Sequence, residues 1–168
     1  KAAVAGLPEA FATALTLDWS PLSGRLSRAQ SLYVLGRGPG FAIASEAALK
    51  FKETCGLHAE AYSAAEVLHG PSALVQARFP VFAMGVEDAA LPHVVATAER
   101  LAAQGADVYV TGGAAKGAVT LPSVPGLHPL VAPLVLAVSF YAFIEGLARR
   151  RGFDPDTPPH LRKVTETM

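Results

Sequence analysis

The sequence predicts an α/β fold, a doubly wound parallel sheet with helices on both faces, and three observations carry that expectation. Three short apolar runs rich in β-branched and aromatic residues each end in glycine: "SLYVLG" (31–36), "FPVFAMG" (79–85) and "DVYVTGG" (107–113). Such runs read as buried parallel strands. Helical patterns lie between them, over 40–55 and 91–104. Strand alternating with helix is the order in which crossover helices cover both faces of a parallel sheet.

Taken from the N-terminus, residues 7–15 and 21–29 read as two short helices or a helical connector, divided at "DWSPLSG". The first strand hands over to "GRGPG", placing Gly36, Gly38 and Gly40 at the usual ligand position of an open α/β sheet. The dinucleotide fingerprint is not met, because Phe41 stands where its third glycine belongs, and the phosphate-loop pattern is absent as well. The run fits a tight turn that needs positive backbone angles, or a backbone contact to a ligand. In 91–104 the residues Leu91, Val94, Val95, Ala98 and Leu101 recur at helical spacing and are expected in the core. "VTLP" (119–122) is a candidate fourth strand.

The stretch 128–151 reads as the last helix, with Arg149, Arg150 and Arg151 favoured at its C-terminal end and Gly152 as a stop. Its apolar run, Leu130 to Ile144, is interrupted by Pro133 and Ser139. It falls short of the roughly 20 residues of a membrane span and is expected to be a buried helix. "FDPDTPPHLRKVTETM" is too rich in proline for one regular element. The expected organisation is a connector over 1–30, the α/β domain over 31–152 and a tail over 153–168.

At 168 residues and 51% hydrophobic composition the chain has material for one core. Basic and acidic residues balance at 14 each and no Lys/Arg run occurs, which argues against nucleic acid or a membrane surface as partner. A small, locally recognised ligand or another protein is expected instead. The single cysteine, Cys55, excludes an internal disulfide and suits a reducing cytoplasm. The start carries no apolar signal-peptide region, and Lys rather than Met at position 1 suggests a processed product or a piece of a longer protein.

Only 17% of residues are charged, yet "SEAALKFKE" gathers Glu46, Lys50, Lys52 and Glu53. On a helix Glu46, Lys50 and Glu53 fall within roughly 60° of arc. Ala44, Ala47, Ala48, Phe51 and Cys55 take the opposite side, against the sheet, while Ile43 and Leu49 flank the charged stripe. One reading is a solvated face, in which the Glu46–Lys50 pair contributes about 0.2–0.5 kcal/mol. The other makes Glu53 a general base, with Lys50 biasing its protonation or holding a substrate oxygen and Glu46 fixing the lysine. Proton transfer from carbon needs a carboxylate raised toward neutrality, which partial burial among apolar neighbours would supply.

His58 and His69 follow, too widely spaced and without a third ligand, so neither a metal nor another cofactor is expected. His69 stands in the turn sequence "LHGP", where an imidazole is either presented to a ligand or held as a structural group. Cys55 belongs to the core side and makes no Cys-His pair.

"LGRG", "SEAALKFKE", "HAEAYSAAEVLHGPSAL" and "DPDTPPHLRKVTET" occur in consistent order over residues 31–168. Together they resemble the C-terminal sugar-isomerase (SIS) domain of the isomerase half of glucosamine-6-phosphate synthase and of related deaminases and deglycases. The resemblance implies a flavodoxin-like sheet, aldose-ketose chemistry on a 6-phosphosugar, and an active site completed across a homodimer. It implies that Glu53 moves the proton between C1 and C2, that His69 opens the ring from the neighbouring subunit, and that Lys50 and Glu46 accompany Glu53. It places Lys163 near the sugar carbonyl, in some members as a Schiff base, and Glu46, Gly36, Arg37 and Gly38 among the substrate-binding residues.

Two departures stand out. The family pairs two such domains, the first gripping the phosphate with a Ser/Thr-rich loop that this chain lacks, so residues 1–30 would be the remnant of a preceding domain. Pro159 and Val164 stand where the synthase has Arg and Ser, bringing the tail closer to the deaminase and deglycase branch. A deaminase or isomerase of amino-sugar 6-phosphates therefore leads, with a synthase fragment or a non-catalytic phosphosugar sensor as alternatives.

Overall fold

The computed structural model describes residues 2–159. Five parallel strands, β1 (Ser31–Gly36), β2 (His58–Ser63), β3 (Pro80–Ala83), β4 (Asp107–Val110) and β5 (Val119–Thr120), form one sheet in the order β2-β1-β3-β4-β5. This is the flavodoxin-like order, whose switch point lies between β1 and β3. All of β3 and all but the first residue of β1 are buried, as expected of strands covered on both sides. The third and fourth expected strands end sooner than their sequence runs, at Val110 and Thr120.

Sequence reasoning did not anticipate β2. "HAEAYS" puts His58, Glu60 and Tyr62 in alternation with small alanines, so neither a β-branched run nor a strong apolar alternation marks it. It is an edge strand paired only with β1, a place where partial burial and polar side chains are tolerated.

The helices are α1 (Ala2–Ala5), α2 (Leu7–Ala14), α3 (Ser20–Leu26), α4 (Gly40–Cys55), α5 (Leu91–Ala103) and α6 (Ala132–Arg150). Two 3-10 turns, Glu66–His69 and Pro71–Leu74, follow β2. The β1–β2 and β3–β4 crossovers run in opposite directions, so α4 and α5 cover opposite faces. On the α4 face, Phe51 and Phe140 meet edge to face at 5.4 Å in a core shared with α3 and α6. On the α5 face, Val94, Ala98 and Leu101 pack with Leu35, Val81 and Val110.

The segment before β1 does more than connect. Trp19, Leu22 and Leu26 are buried in the α4-side core, and Trp19 Nε1 donates to Pro122 O at 2.9 Å. α6 begins at Ala132 rather than 128, with Pro133 accommodated in its first turn, where no N–H is needed. By length and composition α6 could cross a bilayer, but half of its apolar window is buried inside the fold.

Arg151, expected only to complement the helix dipole, is a clamp. Its guanidinium donates to Cys55 O at 2.8 Å, Leu26 O at 2.7 Å, Ala29 O at 2.9 Å and Ser27 O at 3.3 Å. It joins the ends of α3, α4 and α6 at the N-terminal edge of the sheet.

Candidate active site

Why α4 carries the charged stripe follows from its two faces. Ala44, Ala47, Ala48, Phe51 and Cys55 are all buried, and the three alanines let the helix lie close to β1 and β2. Gly56, with φ of 55°, takes the left-handed position that ends the helix, and Leu57 N–H turns back to Phe51 O at 3.1 Å. That leaves Glu46, Lys50 and Glu53 on the half-exposed outer face, with side-chain exposures of 36%, 27% and 22%.

Lys50 Nζ donates to Glu53 Oε2 at 2.7 Å and lies 3.6 Å from Glu46 Oε1. Glu46 Oε1 also accepts the Tyr141 hydroxyl of α6 at 2.5 Å. The four groups form a line: phenol, carboxylate, ammonium, carboxylate. The hydrogen bond to Glu53, reinforced by the charges of both glutamates, holds the Lys50 ammonium above its ordinary pKa. Donation to Glu46 likewise raises the Tyr141 phenol. Lys50 is therefore a fixed cation and Tyr141 a fixed donor, while Glu53 Oε1 accepts no hydrogen bond among the described residues. A carboxylate with one oxygen anchored and one open can take up and return a proton at a small substrate.

Tyr141 escaped the sequence reading because "SFYAFI" looks like core throughout. Its helical spacing could have singled it out: Leu134 and Tyr141, seven apart and both exposed, lie away from Leu136, Phe140 and Ile144, which are buried.

The other candidates sit elsewhere in the protomer. Gly36 is required by close packing, since a Cβ there would lie 2.8 Å from Gly40 O and from Phe41 Cα. Gly38 has φ of 57°, which supports the tight-turn reading of "GRGPG". Beside it, Asp88 Oδ2 is buried without a hydrogen-bond partner, 3.3 Å from where a Gly38 Cβ would stand. Arg37 lines a cavity on the α5 face together with His69.

A helix rises about 1.5 Å per residue, so Glu53 lies about 20 Å along α4 from the glycine turn. Gly36, Arg37 and Gly38 therefore do not meet Glu53 within one protomer, and neither does His69, which was expected to act from a neighbouring subunit. The fold separates them by the length of the sheet and, for Arg37 and His69, by its faces. Lys163 lies outside the described residues. Among the described residues no three His, Cys, Asp or Glu side chains gather as a metal site.

The family model for the SIS domain matches residues 25–117. The chain belongs to the SIS domain family. Over 146 residues this SIS domain is 40% identical to a glutamine-fructose-6-phosphate aminotransferase (isomerizing) of Aeropyrum pernix, covering 83% of this chain and 23% of that protein. The chain thus spans about a quarter of the length of such relatives. A solved structure of a candidate phosphosugar isomerase from Silicibacter pomeroyi is 47% identical with a TM-score of 0.86, covering 92% of this chain and 47% of the other. The glucosamine-6-phosphate deaminase of Thermotoga maritima is 27% identical with a TM-score of 0.70, covering 96% of this SIS domain and 47% of the deaminase.

Proposed function

We propose that this SIS domain supplies the proton-transfer face of a phosphosugar isomerase or deaminase acting on an amino-sugar 6-phosphate such as glucosamine 6-phosphate. The observation that carries the reading is the Glu46–Lys50–Glu53 line, with its fixed cation and the open Glu53 oxygen. On the open-chain sugar, Glu53 takes the C2 proton, giving an enolate of the amino aldehyde, and returns it to C1 while a proton passes from the nitrogen to the C1 oxygen, giving a C1 hydroxyl and an imine at C2. Water adds to that imine to leave fructose 6-phosphate and ammonia. Lys50 offsets negative charge developing on the C1 oxygen, and Glu46, held by Tyr141, keeps Lys50 in place. Lys163 is assigned to the sugar carbonyl, and the reaction needs no cofactor.

His69 is assigned to ring opening, and it must then come from a second protomer, because its own Glu53 lies at the far end of the sheet. We therefore assign a homodimer with shared sites. Exposed Leu49, Leu134 and Tyr141 flank the charged line and suit burial against such a partner. The buried free thiol of Cys55 and the kinship with enzymes of sugar-phosphate metabolism favour the cytoplasm.

A synthase reading has its own support in the 40% identity to a glutamine-fructose-6-phosphate aminotransferase (isomerizing). The test follows the C1 and C2 protons of glucosamine 6-phosphate and fructose 6-phosphate by NMR in heavy water with the full-length protein, alongside an ammonia assay. Exchange with ammonia release from glucosamine 6-phosphate supports the deaminase. Exchange with glutamine-dependent amination of fructose 6-phosphate supports the synthase. Absence of exchange from both sugars overturns the proposal.

A further inference from the structure

On the α5 face, at the C-terminal edge of the sheet, one cavity of about 350 Å³ is lined by Arg37, His69, His93 and Arg100. Three elements bring these groups together: the turn after β1, the 3-10 turn after β2, and α5, where His93 and Arg100 stand seven residues apart on one helix face. Among the described residues none of the four makes an ion pair or a side-chain hydrogen bond. The floor is small and apolar, from Ala64, Ala65 and Ala96, and the Thr97 hydroxyl is spent on Ala64 O at 2.8 Å.

No carboxylate lines the cavity, although Asp88 Oδ2 is buried without a partner beside the Gly38 turn. Asp88 Oδ1 accepts from Ala90 N–H at 2.8 Å, and Glu99 Oε1 accepts from Lys116 N–H at 2.9 Å. A second basic cavity, lined by Arg25, Arg28 and Arg78, differs in just this respect: Asp107 pairs with both Arg25 and Arg78. Convergence of guanidinium and imidazole groups without a protein counter-charge is the arrangement that recognises a doubly charged oxyanion.

We propose that the Arg37–His69–His93–Arg100 cavity is a binding site for a phosphate group, either free inorganic phosphate or the phosphate of a sugar phosphate. It goes beyond the reaction assigned to Glu53 and stands whether or not Glu53 is the base. Occupancy would fix the position of His69, which the cavity shares with the proposed catalytic set.

The test titrates the full-length protein with inorganic phosphate, fructose 6-phosphate and neutral fructose, reading the imidazole resonances of His69 and His93 by NMR. The parent is compared with Arg100→Ala and His93→Gln, residues outside the proposed proton-transfer line. Saturable shifts of both imidazoles by phosphate, weakened about tenfold or more in Arg100→Ala, are expected. Tighter binding of fructose 6-phosphate than of phosphate, read at His93 and weakened in Arg100→Ala, identifies a sugar phosphate as the occupant, and equal binding at His93 identifies the free ion; a response of His69 alone reports the catalytic site and overturns the proposal. Fructose is expected to cause no shift. Unchanged phosphate affinity in both variants, or shifts that never saturate, overturns the proposal, and circular dichroism of the variants excludes misfolding as the cause of any loss.

Discussion

Replacing Glu53 by Gln separates the chemistry from the architecture. The substitution keeps the shape of the side chain and an oxygen that can still accept from Lys50, but removes the basic carboxylate. Its structural cost comes from the Lys50–Glu53 contact of 2.7 Å between side chains that are 27% and 22% exposed. At that exposure an ion pair contributes no more than about 1 kcal/mol after solvent screening, equivalent to a melting shift of about 2–4 °C in a domain of this size. Loss of a general base, by contrast, slows proton transfer by about 10²–10⁴-fold, equivalent to about 2.7–5.4 kcal/mol of barrier. NMR solvent exchange at the sugar carbons, with a thermal melt and a fructose 6-phosphate titration of the same samples, reads both effects. The expected outcome is exchange lost by at least about a hundredfold, with the melt nearly unchanged and binding within about tenfold. Exchange within about threefold of the parent in a folded, sugar-binding Glu53→Gln protein would refute the role of Glu53.

Three further outcomes are expected. Homodimers of Glu53→Gln and of His69→Ala are each inactive, but mixed and allowed to exchange subunits they regain about a quarter of parental activity, since half of the dimers carry one intact shared site; no recovery counts against a shared site. Arg151→Met leaves the carbonyls of Ala29 and Cys55 without their donor, while Leu26 O keeps the Ala29 N–H at 3.2 Å, and lowers stability by about 2–4 kcal/mol in a urea melt, whereas a loss below about 0.5 kcal/mol would show the clamp to be decorative. All four tyrosines and Lys50 hold their protons to higher pH in the fold than in the unfolded chain, Tyr33, Tyr62 and Tyr109 chiefly through burial. The buried Cys55 thiol, pushed up by burial, does the same from a lower pH, so this stabilisation is complete below about pH 8 and urea midpoints should fall progressively above about pH 9; a rise there would contradict these shifts.

What the sequence disclosed and what it hid divide along physical lines. Strands β1, β3 and β4 and helices α4 and α5 were legible because their burial is written in strong apolar runs or helical spacing. Strand β2 was not, because at the sheet edge alanine suffices where a central strand demands valine or leucine. The stripe on α4 was legible as geometry, since a helical wheel places Glu46, Lys50 and Glu53 on one side. Its partner Tyr141 was not, because 95 residues of chain separate it from Glu46 and only its helical spacing with Leu134, within an otherwise apolar run, sets its ring apart from core. The separation of His69 from Glu53 was anticipated only through the family resemblance, since both lie in one segment of sequence and it is the crossover through α4 and β2 that carries them apart.

The Arg151 clamp bears on the order in which the chain can be completed during synthesis. Its acceptors, the carbonyls of Leu26, Ser27, Ala29 and Cys55, are made early, and their donor emerges about a hundred residues later. Until α6 has left the ribosome, Phe51 and Leu22 lack their cover and the ends of α3 and α4 keep their carbonyls in water. The α5 face, built from local crossovers, needs no such wait. Nascent chains ending before Arg151 should therefore settle one side of the sheet first and stay open on the side that carries the charged line.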